Sequence, residues 1–176
     1  MSQIGGKVFF LDRNDINTDE IIPAKYLTEV EKKVMAPFLM EDLKMEGFDP
    51  KSPQLKTSKV LITRSNFGCG SSREHAVWVF TENGYQVIIA ESYARIFKQN
   101  SYNNGLLVIE LDKKTIDRLF EIGKKDENME VFADIDSEKM EVKSKIDSFS
   151  LNFTISPFYK SVVKEGGWIS YADKTY

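Results

Sequence analysis

Residues 66–76, NFGCGSSREHA, gather two glycines, two serines, an arginine and the one histidine of the chain. They follow an apolar, strand-like run and precede AVWVFTEN, which reads as a helix. Gly68 and Gly70 permit a sharp turn and let a ligand approach the backbone closely. Ser71 followed by Glu74 fits a capping box, in which both side chains satisfy free amides at a helix start. Those features alone describe a well-capped helix. Arg73 adds a further demand. In a first helical turn the macrodipole is positive, so a cation there is unfavourable by about 0.3–1 kcal/mol unless an anion lies close by. Free amides and a guanidinium together suit a carboxylate or phosphate, held through two parallel hydrogen bonds. Ser71 and Ser72 would then stand beside the bound anion, one of them as proton acceptor or hydrogen-bond donor.

Competing motifs fail on particular positions. A P-loop ends in Gly-Lys-Ser/Thr, whereas Gly70 precedes Ser71, Ser72 and Arg73. The dinucleotide fingerprint needs a third glycine where Arg73 stands, and the hydrolase elbow needs serine between glycines in a spacing that Cys69 and Ser71 break. Ser71 and His75 are spaced for one helical face, but a histidine one turn along reads as a structural hydrogen-bonding partner. Cys69 reads as a small packing residue, although a helix start can lower a thiol pKa. Asp15 to Asp19 opens like a calcium loop, yet Glu20 replaces its glycine and Tyr26 its final glutamate.

The elements that must position this turn follow from hydrophobic patterning. KVFFLD (7–12) reads as a strand, IIPAKYL as a loop or edge, and PFLMEDLKM as a helix opened by Pro37. From residue 59 strands and helices alternate: KVLITRSNF, SSREHAVWVFTEN, YQVIIAES, YARIFKQNSYNN, LLVIEL and KKTIDRLFEIG. That alternation predicts parallel strands with helical crossovers. MEVFADID, KMEVKS and SFSLNFTIS then predict a β meander, closed by a last helix, SPFYKSVVKEG. The 176 residues are expected to form one domain over 1–176.

Totals narrow the function. A net charge of −3 supplies no broad basic field, which disfavours nucleic acid and acidic membranes as partners. No run approaches the roughly 18 apolar residues of a membrane span, and the first residues lack an apolar export signal, so a cytoplasmic location is expected. One cysteine excludes an intrachain disulfide and any multi-cysteine metal site built by this chain alone. The sequon at Asn152, Phe153 and Thr154 is then ordinary strand sequence.

Taken with NTDEIIPAKYL and AESYARIFKQNSYNNGL, the turn resembles the swivel domain of the aconitase superfamily, more narrowly the family of separate small subunits of 3-isopropylmalate dehydratases. The three motifs stand in the family's order and the likeness runs from about residue 5 to about residue 112. The resemblance implies an α/β fold of the β/β/α swivelling type with a β-rich C-terminal part. It also implies a hydro-lyase subunit that isomerises a hydroxy acid by removing and re-adding water. By this likeness Ser71 is the catalytic base that takes the proton alpha to a carboxylate. Ser72 and Arg73 bind substrate carboxylate, Asp19 plays a supporting role, and Arg95 lies in a family motif whose role is open between structure and site. A 4Fe–4S cluster acts as Lewis acid; it needs about three protein thiolates. Cys69 is one, so the cluster is expected on a large-subunit partner, with no metal held here.

The same likeness places a specificity loop at Tyr26, Leu27, Thr28 and Glu29. Relatives that process tricarboxylates carry an arginine in this region, whereas residues 20–36 contain none. That favours an apolar substituent, hence isopropylmalate and leucine biosynthesis, unless Lys25, Lys32 or Lys33 serves as a point charge. Related dehydratases acting on citrate, homocitrate or dimethylmalate stay open. So do a noncatalytic anion-binding module and, more distantly, a serine hydrolase.

Overall fold

Two kinds of β-sheet meet on one strand. The computed structural model describes residues 3–176, and β1 (Gln3–Phe10) lies at the middle of a seven-stranded sheet. The other strands are β2 (Val60–Ile62), β3 (Val87–Ala90), β4 (Leu107–Glu110), β5 (Glu130–Asp134), β6 (Lys139–Lys143) and β7 (Phe149–Asn152), in the order β4-β3-β2-β1-β5-β6-β7. The C-terminal half of β1 pairs parallel with β2, from Val8 opposite Val60 to Phe10 opposite Ile62. Its N-terminal half pairs antiparallel with β5, from Gln3 opposite Asp134 to Lys7 opposite Glu130.

Burial follows this division. Val60 to Ile62, Val87 to Ala90 and Leu107 to Ile109 are buried without alternation, as expected of parallel strands covered on both faces. On β6 buried Met140 and Val142 alternate with exposed Lys139, Glu141 and Lys143, the pattern of a sheet wet on one side. The crossovers are α4 (His75–Glu82) and α5 (Arg95–Asn103), and α6 (Lys113–Lys125) leads to the meander. Asp112 caps α6 by accepting from the Thr115 amide at 2.8 Å. The expected parallel layer and β meander are therefore both present, in the mixed α/β architecture that the resemblance implied.

Several boundaries differ from the sequence reading. The helix expected from Pro37 is a single tight turn, Ala36–Phe38. Beyond it the Met40 amide donates to the Ile21 carbonyl at 2.8 Å, and Met40 takes a φ of 55°, so a tertiary tether replaces the next helical turn. Short helices α1 (Thr18–Ile21), α2 (Lys32–Met35) and α3 (Pro53–Thr57) occupy the connection between β1 and β2. The expected closing helix, α7 (Pro157–Lys164), is not the last. Gly166 and Gly167 break the chain and α8 (Trp168–Thr175) follows, with Trp168 and Tyr171 against Phe158 at ring-centre distances of 6.2 and 5.7 Å.

The double pairing of β1 requires close approach at Gly5. Its φ is 132°, and a Cβ there would lie 2.1 Å from the Val131 carbonyl oxygen. Gly5→Ala should therefore lower stability by about 1–3 kcal/mol, measured as a fall in the urea midpoint. An unchanged midpoint would mean that β5 can move away from β1 at no cost.

Candidate active site

The site forms where two loops continue the pairing of β1 and β2 beyond the strands. The Asp15 amide donates to the Ser65 carbonyl at 2.9 Å, and the Gly68 amide to the Ile16 carbonyl at 2.8 Å. The Thr18 amide then donates to the Cys69 carbonyl at 2.8 Å, and the Thr18 hydroxyl to the Ser71 carbonyl at 2.8 Å. This crossing lies past the carboxyl ends of the parallel strands, where open α/β sheets present their ligand sites. The Phe67 carbonyl accepts from the Ala94 amide at 3.0 Å, which attaches the segment leading into α5. Beneath the turn Phe67 is buried, with Phe97 and Phe80 at 5.3 and 5.9 Å between ring centres. Gly68 is required above that cluster: its φ is 79°, and a Cβ would stand 2.3 Å from Cγ of Phe97.

The helix begins later than the sequence implied. Ser71 to Glu74 precede α4, whose N-cap is Glu74 with no side-chain cap bond, so the Ser71–Glu74 capping box is absent. Gly70, at φ 94°, and the engaged Ser71 carbonyl hold the chain out of helical geometry. A capping box forms instead at the facing loop. The Asn17 side chain accepts from the Glu20 amide at 2.9 Å, and the Glu20 carboxylate accepts from the Asn17 amide at 3.1 Å. The N-x-x-E pattern was the available signal for it. Burial opposes the charge on Glu20. The Arg13 guanidinium and the Asn17 amide outweigh that effect and hold the carboxyl below its usual range.

Arg73 consequently lies outside the first helical turn, and the macrodipole argument does not apply to it. Its guanidinium is paired with the Asp19 carboxylate, the residue predicted to support the site. Ser71 and Ser72 are exposed, with their side chains open to an incoming group. Glu74 accepts from the Asn104 side-chain amide at 2.9 Å, joining the turn to the end of α5. Arg73 and Asp19 are thus in contact, Ser71 and Ser72 precede Arg73 in the same exposed turn, and Arg95 is exposed as the first residue of α5.

The residues expected to form a specificity loop meet the start of α4 at Glu29. Tyr26 stacks on Phe38 at 4.1 Å and donates to the Glu41 carboxylate at 2.9 Å. Desolvation, and then that carboxylate, push its phenol up. Leu27 is half-buried and Thr28 exposed. The Glu29 carbonyl accepts from Nε2–H of His75 at 3.0 Å. Lys25 is drawn to Glu41 at 3.6 Å, and Lys32 lies 5.0 Å over the Trp78 ring.

Cys69 is half-buried, and burial, reinforced by the Asp15 carboxylate, pushes its thiol up. That is the reverse of what a thiolate ligand needs. Among the described residues no three side chains of the types that ligate metals converge. The donor set of this chain does not fit an iron–sulfur cluster.

Glu20 generates a prediction about the site's rigidity. Its folded pKa lies below its unfolded value, so its stabilisation is complete above the unfolded pKa and is lost as pH falls through the folded one. Glu20→Ala should cost about 0.5–2 kcal/mol at neutral pH. Melting curves of the two proteins should converge in acid, and a constant difference across pH would contradict the charged capping box.

Comparison with known proteins agrees with this architecture. Residues 6–114 match the family model described as the aconitase C-terminal domain. The 3-isopropylmalate dehydratase small subunit of Buchnera aphidicola subsp. Diuraphis noxia is 38% identical, over 84% of this chain and 75% of that protein. The crystal structure of 3-isopropylmalate dehydratase from Methanocaldococcus jannaschii superposes with a TM-score of 0.77 at 30% identity, covering 98% of this chain and 94% of that one. The chain belongs to the aconitase C-terminal domain family, within its branch of 3-isopropylmalate dehydratase small subunits.

Proposed function

We propose that this chain is the small subunit of a two-subunit hydro-lyase that interconverts 2-isopropylmalate and 3-isopropylmalate by dehydration and rehydration, a step of leucine biosynthesis. The observation that supports the reading is the crossing of the two loops, which ties the Ser71 backbone to Thr18, the neighbour of Asp19, while Asp19 pairs with Arg73 and Ser71 is exposed. Residues 1–176 act as one swivel unit presenting that crossing to a large subunit. The iron–sulfur cluster is assigned to the large subunit; it needs about three thiolates and this chain has the single cysteine Cys69.

The residues of this chain divide the work by chemistry. Arg73 offers a planar fork to a substrate carboxylate, and Ser72 adds a hydroxyl donor. Oγ of Ser71, as the alkoxide, takes the proton from the carbon alpha to that carboxylate and returns it in the reverse direction. A serine hydroxyl is a weak base in water. The exposed turn must therefore be covered by the large subunit, where water is excluded and the nearby guanidinium favours the alkoxide. Asp19 orients Arg73. Tyr26, Leu27, Thr28 and Glu29 border the place where the substituent of the hydroxy acid sits.

The named relatives favour the dehydratase subunit over a noncatalytic anion-binding module. No helix is long and apolar enough to cross a membrane among the described residues.

Reconstitution with a cluster-bearing large subunit tests the proposal. The complex should convert 3-isopropylmalate in preference to citrate, homocitrate and dimethylmalate, and this chain alone should convert none. Ser71→Ala should lower kcat by about 10²–10⁴-fold, with KM little changed. Arg73→Lys should chiefly raise KM, because a point charge cannot reproduce the two-pronged contact. A complex whose turnover is indifferent to Ser71→Ala would overturn the assignment of the base.

A further inference from the structure

We propose that His75 is a positioning residue for substrate selection, fixing the loop at residues 26–31 to the turn that carries Ser71; this rests on the functional reading above. The geometry is a contact between a side chain and a distant backbone. Nε2 of His75 lies 3.0 Å from the Glu29 carbonyl oxygen, and a carbonyl can only accept, so the ring is held with its proton on Nε2. The ring is fixed from its other side by Trp78, at 4.6 Å between centres and itself covered by Lys32 at 5.0 Å.

Past residue 31 the chain is held to α4 by α2, whose Met35 is buried; within the loop itself the polar tie to α4 is the one from His75. The Glu29 carboxylate folds back on its own loop, accepting from the amides of Val30 and Glu31 at 3.2 and 3.3 Å, while its carbonyl accepts from the ring. At the far end Tyr26 is pinned by Phe38 and Glu41. Leu27 and Thr28 therefore span a bridge between two anchors, of which His75, at the start of α4, directly follows the turn that carries the base. Val30, just beyond it, is 84% exposed, so burial of its side chain does not hold the loop in place. Three residues separate Ser71 from His75, and one of them, Glu74, is tied to Asn104. The tether thus sets how far the substituent-facing residues stand from the atom that moves the proton.

Two substitutions separate this role from ring packing. His75→Phe keeps an aromatic ring against Trp78 and removes the N–H, whereas His75→Gln keeps a donor of similar reach. In the complex with the large subunit, His75→Phe should raise KM for 3-isopropylmalate by roughly 3- to 10-fold, the scale of one hydrogen bond. Its kcat should stay within about twofold, and its preference over dimethylmalate should shrink by a similar factor. His75→Gln should restore both. Hydrogen exchange on the small subunit supplies a readout independent of activity. Amides 27–31 should exchange faster in His75→Phe, with those of β3 and β4 unchanged. Unaltered KM, preference and loop exchange in folded His75→Phe would overturn the tether. A wild-type complex inactive on every hydroxy acid, with exchange still responding to His75→Phe, would instead sink the dehydratase reading and leave the tether standing.

Discussion

The hydrogen bond from the Thr18 hydroxyl to the Ser71 carbonyl is the contact on which the rest of the site depends. It closes a short parallel ladder between two loops that have no strand geometry of their own, after the Gly68–Ile16 and Thr18–Cys69 bonds. Thr18 is buried, so its donor has no water to fall back on, and losing the acceptor would leave an unsatisfied polar group costing about 1–3 kcal/mol. The same bond keeps Ser71 out of α4 and turns its side chain to the exterior. Fold stability and site geometry are here one interaction viewed from two sides.

The sheet makes that crossing possible. Because β1 pairs parallel with β2 only over its C-terminal half, the two strands run out together and deliver their following loops side by side. The antiparallel partner β5 grips the other half of β1 and leaves the loop end clear. The aromatic cluster of Phe67, Phe80 and Phe97 then fills the space beneath the turn, so the backbone carrying Ser71 rests on close-packed rings.

Much of this was readable in the chain. The unbroken apolar runs at 60–62, 87–90 and 107–109 announce strands covered on both faces, and the alternation at 139–143 announces a half-wet one. Ser71, Ser72, Arg73 and Asp19 were singled out through motif likeness, and of these the structure pairs Arg73 with Asp19. Their mutual arrangement was not readable. Two stretches carry a polar residue followed by glutamate three positions later, Asn17–Glu20 and Ser71–Glu74, and local chemistry favours neither. The choice is made by Thr18, which occupies the Ser71 carbonyl from 53 residues away. Likewise Arg73 finds Asp19 across 54 residues, His75 finds Glu29 across 46, and Met40 abandons a helix for the Ile21 carbonyl. Each joins positions far apart in the chain, in loops or in the first or last turn of a helix, a pairing that periodicity does not encode.

The Arg73–Asp19 pair has a consequence for what the face will accept. A guanidinium already matched to a carboxylate of its own chain is no open trap for stray anions, since phosphate or acetate must first evict Asp19. Exposed ion pairs contribute only about 0–1 kcal/mol, so the eviction is cheap for a visitor that brings several contacts and unrewarding for one that brings a single charge. With Arg73 as the grip on substrate that we propose, the internal carboxylate is a sieve that ranks acids by the number of their handholds.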